Sequence, residues 1–195
     1  MTHTHWHEND PRGSESNRRP AIHSTTVVGV KKDGRVAIAS DGQITMHETI
    51  MKQTAKKVQK VYHGKVLAGY AGAAADALTL FERFEGKLEE TRGNLQRAVQ
   101  LLAQDWRTDR ILRHLEALIL VADKEAMYVI SGQGDVIGIE EDVAAIGSGG
   151  PFAMAAGKAL CRHSDLSADK IAREAVLIAA SICVYTNTEI TVLTL

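Results

Sequence analysis

Between Thr25 and Leu195 the hydrophobic pattern changes period four times, and that order restricts the fold more than any single motif. Residues 25–72 alternate as strands do: Thr25–Lys32 (TTVVGVKK) is β-branched, Asp33-Gly34 is a hairpin signal, and Arg35–Ser40 (RVAIAS) is a second strand. Asp41-Gly42 reads as another turn. Lys57–Tyr62 and Lys65–Tyr70 follow as strands on either side of His63-Gly64. Two helical stripes come next, Ala77, Phe81, Phe84 and Leu88, then Leu95, Ala98, Val99, Leu102 and Trp106, separated at Gly93. Ala117–Ala122, Ala126–Ser131 and Ala144–Ile146 return to strands, with a turn at Gly132-Gln133-Gly134-Asp135. A helix over about Phe152–Arg162 and another capped by Ser167, with Ile171, Ala175, Ile178 and Ile182 on one stripe, precede a closing strand, Ile190–Leu195. Strands that come in blocks, not singly between helices, argue against a doubly wound parallel sheet. They predict an α+β protein: two antiparallel sheets packed together and covered by helix pairs, a four-layer αββα sandwich.

Ahead of this pattern, residues 1–21 are polar and aperiodic, so they cannot bury enough apolar surface to offset the entropy of ordering. The division is therefore a disordered leader, residues 1–24, and one domain, residues 25–195. His3, His5 and His7 alternate in the leader, which suggests adventitious metal binding, but no acidic or thiol ligand cluster completes a site and a solvated tail is expected.

Composition removes several function classes. The formal charge of −1 offers no broad footprint for nucleic acid. No apolar run has the ~18 residues of a membrane span, and the first residues lack the core of a secretory signal. The expectation is a soluble, cytoplasmic protein. Cys161 and Cys183 read as free thiols in apolar surroundings. There is no G-x-x-x-x-G-K-[ST], so nucleotide binding is not expected despite the glycines at 147–150. H-E-x-x-H and G-x-S-x-G are also missing. His47, His63, His114 and His163 read as surface residues.

Thr25-Thr26 opens the first strand directly after the leader. A threonine hydroxyl is a weak nucleophile and needs a base tuned near neutral pH. Cleavage at Ser24-Thr25 would place a new α-amine, of ordinary pKa about 7.7–8.0, beside the Thr25 hydroxyl. One residue would then supply both nucleophile and base. By itself, threonine at a strand start is only β propensity.

The motifs around it weigh more. Thr25-Thr26-Val27-Val28-Gly29-Val30, Ser40-Asp41-Gly42-Gln43, Met51-Lys52, Lys56-Lys57-Val58, Leu67-Ala68-Gly69-Tyr70-Ala71-Gly72, Asp76-Ala77, Asp105-Trp106-Arg107-Thr108-Asp109, Ile146-Gly147-Ser148-Gly149-Gly150 and Cys183-Val184-Tyr185-Thr186-Asn187 occur in this order. Together they resemble the HslV (ClpQ) family of bacterial proteasome-like peptidase subunits, over essentially Thr25–Leu195.

That resemblance implies an N-terminal nucleophile hydrolase and a threonine-type endopeptidase with Thr25 as nucleophile. Lys57 matches the active-site lysine, although on composition it is one of two adjacent surface lysines. Asp41 matches its acidic partner, Ser148 a serine near the threonine amine, and Gly69 a glycine whose N–H forms the oxyanion hole. The resemblance also implies a monovalent cation, usually sodium, on backbone carbonyls near Ala180, Cys183 and Thr186. It further implies two stacked hexameric rings (a dodecamer), and an AAA+ ATPase hexamer, HslU, that unfolds protein substrates and switches the peptidase on. Two features depart from the pattern: Ser40 stands where many relatives have glycine, and the leader is long, with His23-Ser24 and not a methionine directly before Thr25. Self-cleavage at Ser24-Thr25, with Thr25 attacking the Ser24 carbonyl, is then expected, and no turnover while the leader remains. The rival expectation is a non-catalytic assembly subunit that keeps its leader.

Overall fold

The computed structural model describes residues 25–72, 74–108, 117–131 and 134–195. The leader with its histidines, the side chain of Ala77, the Gly132-Gln133 half of one turn, and His114 lie outside the described residues.

Strands β1 (Thr26–Lys32) and β2 (Arg35–Ser40) form a hairpin. Asp33 and Gly34 both take positive φ, 52° and 72°, which is the tight turn that an Asp-Gly pair favours. β10 (Val143–Gly147) pairs with the free edge of β1, and β11 (Thr191–Thr194) with that of β2. The resulting order is β10-β1-β2-β11. A second antiparallel sheet has the order β5-β6-β7-β8-β9, from Val58–Val61, Val66–Gly72, Ala117–Ala122, Met127–Ile130 and Val136–Gly138.

Alternation along the strands divides the side chains between two faces. Val27, Ile38, Leu67, Ala71, Leu120 and Ala122 form the core between the sheets. Val28, Val30, Ala37 and Ala39 face α3 (Gly150–His163) and α4 (Ala168–Ala180). Ala68, Tyr70, Ile119 and Val121 face α1 (Ala74–Glu90) and α2 (Leu95–Thr108). The four layers predicted from the periodicity are present. Gly29 and Gly69 let the sheets approach: a Cβ at Gly29 would lie 2.6 Å from Met127 Sδ, and one at Gly69 2.6 Å from Val27 Cγ1.

Three details differ from the sequence reading. Segment 41–43 is no hairpin turn. It runs buried into a small two-stranded sheet, β3 (Ile44–Met46) and β4 (Thr49–Lys52), which the sequence reading did not anticipate. β9 was also unanticipated, since its three residues are all exposed and carry no alternation. The buried face of α4 is Ala168, Ile171, Ala172, Ala175, Val176 and Ala179, leaving Ile178 and Ile182 exposed. Small alanines lie against the sheet there, so the buried face is rotated away from the larger isoleucines.

Candidate active site

Thr25 directly precedes β1 and is buried. Gly147, at the end of β10, is pressed against it: φ is +90°, and a Cβ would fall 2.0 Å from the Thr25 carbonyl oxygen and 3.2 Å from Ala71 Cβ. Thr25 therefore sits where the ends of β1, β10 and β6 meet. Only glycine fits at position 147.

Asp41 follows β2 and is wholly buried. Its Oδ1 accepts the Thr26 N–H at 2.8 Å and the Lys57 ammonium at 2.9 Å. Its Oδ2 accepts the Gln43 N–H at 2.9 Å and the Asn187 N–H at 3.4 Å. Lys57, immediately ahead of β5, is 1% exposed and donates also to the Gln43 carbonyl. A lysine that composition would leave in solvent is thus held in the interior beside the Thr25–Thr26 peptide. Burial pushes its pKa below the ordinary lysine value, and Asp41 opposes that by attraction and hydrogen bonding. Two charges are buried together at the start of β1, which desolvation disfavours unless the geometry is good.

The other expected residues separate. Ser148 is exposed in the turn after Gly147 and does not cap α3, whose N-cap is Gly149. Gly69 lies in mid-strand, opposite Val58 on one side and Leu120 on the other. The Tyr70 N–H donates to the Lys57 carbonyl at 3.1 Å, toward β5. Successive amides of a strand point to opposite sides. The Gly69 N–H therefore faces β7 and belongs to the ladder with Leu120, which takes it away from the role of oxyanion donor. By the same alternation the Gly72 N–H points to the β5 side, beyond the end of β5, at a residue with φ of 132°.

Ala180, Cys183 and Thr186 lie at and after the C-terminus of α4. The Cys183 carbonyl accepts the Thr186 N–H at 3.0 Å, and its second lone pair is not used by that bond. Among the described residues no cluster of three or more His, Cys, Asp or Glu could hold a metal. A backbone-carbonyl site suits a hard, weakly held cation and needs no such cluster.

Several participants were missed in the sequence. Thr26 Oγ1 lies 2.7 Å from Thr186 Oγ1, both buried. A Cβ on Gly149 would come within 2.2 Å of that Thr26 hydroxyl, so glycine is required beside it. Gln43 Nε2 donates to the Val184 carbonyl at 3.0 Å. Asn187 bridges three segments. Its only sequence signal was membership of the Cys183–Asn187 motif. His47, His63 and His163 are exposed, as expected.

No helix of the described residues is long and apolar enough to cross a membrane. The profile of the proteasome subunit family matches residues 22–195. The ATP-dependent protease subunit HslV of Syntrophobacter fumaroxidans is 56% identical over 170 residues, 87% of this chain and 95% of the relative. The subunit of the same name from Desulfovibrio desulfuricans is 58% identical over 89% of this chain and 98% of the relative. Among solved structures, the eukaryotic HslV of Trypanosoma brucei superposes with a TM-score of 0.83 at 42% identity, covering 87% of this chain and 98% of that one. The BPH protein of Thiobacillus denitrificans shares the fold, with a TM-score of 0.67 at 22% identity over 87% and 97% of the two chains. The chain belongs to the proteasome subunit family and, within it, to the HslV subunits.

Proposed function

We propose that this chain is the threonine peptidase subunit of an ATP-dependent protease, active once residues 1–24 are removed. The observation that carries the reading is the buried Lys57–Asp41 pair, tied through one carboxylate oxygen to the Thr26 amide. A non-catalytic subunit would have no use for an ion pair that costs desolvation at the head of its first strand.

In this reading the freed α-amine of Thr25 accepts the proton of the Thr25 hydroxyl, directly or through one water. The oxygen attacks the substrate carbonyl carbon. The tetrahedral intermediate collapses, the peptide nitrogen leaves with the proton, and an ester on Thr25 remains. Water then attacks the ester carbonyl carbon and gives a proton to the amine; the second intermediate breaks the bond to the Thr25 oxygen, which takes that proton, and the acid product leaves. The Lys57 ammonium lowers the pKa of the neighbouring amine and hydroxyl and stabilises developing negative charge. In place of the expected Gly69, Gly72, whose N–H points to the β5 side beyond the end of that strand, would donate to the oxyanion. Ser148, in the turn next to Thr25, would act on the amine through water.

The carbonyls near Ala180, Cys183 and Thr186 would hold a monovalent cation such as sodium, which neutralises the carbonyl dipoles at the end of α4 and stiffens that loop. The relatives are named as subunits of an ATP-dependent protease, which supports an assembly with a partner ATPase; the family resemblance makes that partner HslU. We propose a cytoplasmic dodecamer of two hexameric rings that receives unfolded protein. This separates energy use from hydrolysis: the chain carries no ATP motif.

The test is the intact mass of the purified assembly together with Thr25→Ala. The expected result is a mature chain beginning at Thr25, and a variant that neither loses its leader nor cleaves peptides. An assembled particle with intact leaders, or peptidase activity surviving in Thr25→Ala, would replace this reading with that of a non-catalytic subunit or another nucleophile.

A further inference from the structure

Four stretches far apart in sequence meet around Asp41: the start of β1, segment 41–43, segment 53–57 and the loop after α4. The loop joins the other three. The Asn187 Oδ1 accepts the Gly42 N–H at 3.0 Å and the Glu189 N–H at 3.2 Å. Its Nδ2 donates to the Gln53 carbonyl at 2.9 Å. Its backbone N–H donates to Asp41 Oδ2 at 3.4 Å. Gly42 and Gln53 are themselves in contact, since a Cβ on Gly42 would fall 2.3 Å from the Gln53 carbonyl oxygen, and the Ala55 N–H donates to the Gly42 carbonyl at 2.9 Å. The strap 53–57 that ends in Lys57 is thus pinned to the segment that carries Asp41, and Asn187 closes the pin from a third side.

We infer that Asn187 is a positioning residue for the reaction, setting the strap that delivers Lys57 against the segment that presents Asp41, with the Thr186–Thr26 hydroxyl pair holding the same loop to β1. The chemistry of the side chain is specific. It receives two backbone N–H groups on its oxygen and gives an N–H to a carbonyl from its nitrogen, which only an amide of this length does. Aspartate keeps the acceptor and loses the donor, placing a carboxylate against the Gln53 carbonyl. Alanine loses all three side-chain bonds. Neither change touches Thr25, Lys57 or Asp41 directly. Displacing a reactive constellation by about 1 Å costs on the order of 100-fold in rate.

The inference rests on the peptidase reading above. The full chain is expressed, and processed subunits are counted by mass. They are then labelled with a peptide vinyl sulfone that caps the Thr25 hydroxyl, giving both a labelling rate and a final stoichiometry. Asn187→Asp and Asn187→Ala are expected to label to the wild-type stoichiometry at a rate roughly 10- to 100-fold lower, with kcat reduced in parallel and KM within about 2-fold. Thr186→Val should show a smaller loss of the same kind, and Thr186→Ser, which keeps the hydroxyl, should regain most of it. Asn94→Ala, which removes the Asn94 Oδ1 acceptor of the Arg97 N–H at the start of α2, controls for an ordinary lost hydrogen bond and should label at the wild-type rate. Asn187 variants that label fully at the wild-type rate, or that lose stoichiometry while the remaining sites react at the wild-type rate, would reduce Asn187 to a structural role and overturn the inference. A wild-type chain that is not labelled on Thr25 would instead overturn the peptidase reading, and the inference with it.

Discussion

Asp41 Oδ1 holds the Lys57 ammonium at 2.9 Å with both side chains out of solvent, and the same oxygen accepts the Thr26 amide. Replacing Asp41 by Asn removes the charge that supports the Lys57 proton. Burial already pulls the Lys57 pKa down and Asp41 pushes it up, so in the variant the pKa falls further. The ammonium is then lost at a lower pH. Asp41→Asn should lower kcat by roughly 10- to 100-fold, as for a hydrogen bond to a charged group worth about 1.5–3 kcal/mol. It should also move the alkaline limb of the kcat/KM profile to lower pH. A limb that stays in place, measured by peptide hydrolysis across pH, would show that the Lys57 proton does not govern the rate.

Lys57→Met tests the same pair from the other side. The variant leaves a buried carboxylate with the Thr26, Gln43 and Asn187 amides but no counter-charge. Removing one partner of a buried pair costs about 3–5 kcal/mol, and three remaining donors place the value near the lower end. Denaturant midpoints of processed protein, compared at equal m-value, measure it.

Gly69 separates packing from chemistry. An added methyl would meet Val27 Cγ1 at 2.6 Å and Val58 Cγ1 at 3.1 Å between the sheets. Gly69→Ala should therefore destabilise by about 1–3 kcal/mol. Val27→Ala in the same chain should restore part of that, although alone it destabilises. Strict additivity of the two changes in a double-mutant cycle would deny the contact.

Ser40 Oγ is buried, and among the described residues it has no hydrogen-bond partner. It lies on β2 opposite Val27 and Thr191. Ser40→Ala removes an unsatisfied hydroxyl without reshaping the strand. It should raise stability by about 1 kcal/mol and leave peptidase activity unchanged. Thermal melts of the two processed proteins decide it.

What could be read from the chain follows from what is local in it. The β1–β2 hairpin was legible because Asp33-Gly34 specifies its own turn. The α2 stripe was legible because Leu95, Ala98, Val99, Leu102 and Trp106 repeat with the helix and all are buried. Asp41-Gly42 was misread because the same dipeptide serves a buried carboxylate here, with Gly42 pressed on the Gln53 carbonyl. Lys57 was legible only through the family resemblance: nothing in the run Lys56-Lys57 distinguishes the exposed lysine from the buried one. The direction of the Gly69 amide depends on which neighbour the strand bonds to at each residue, and Asn187 depends on three distant backbones. Neither has a local signature.

The loop between α4 and β11 contributes bonds to Asp41, Gly42, Gln43 and Gln53, and β11 pairs along β2 up to Ser40. Translation proceeds from the other end, so the segment bearing Thr25 leaves the ribosome long before the residues that fasten its surroundings. A growing polypeptide therefore carries Thr25, Asp41 and Lys57 in unfastened surroundings until the loop bearing Asn187 has been synthesised and folded back onto them.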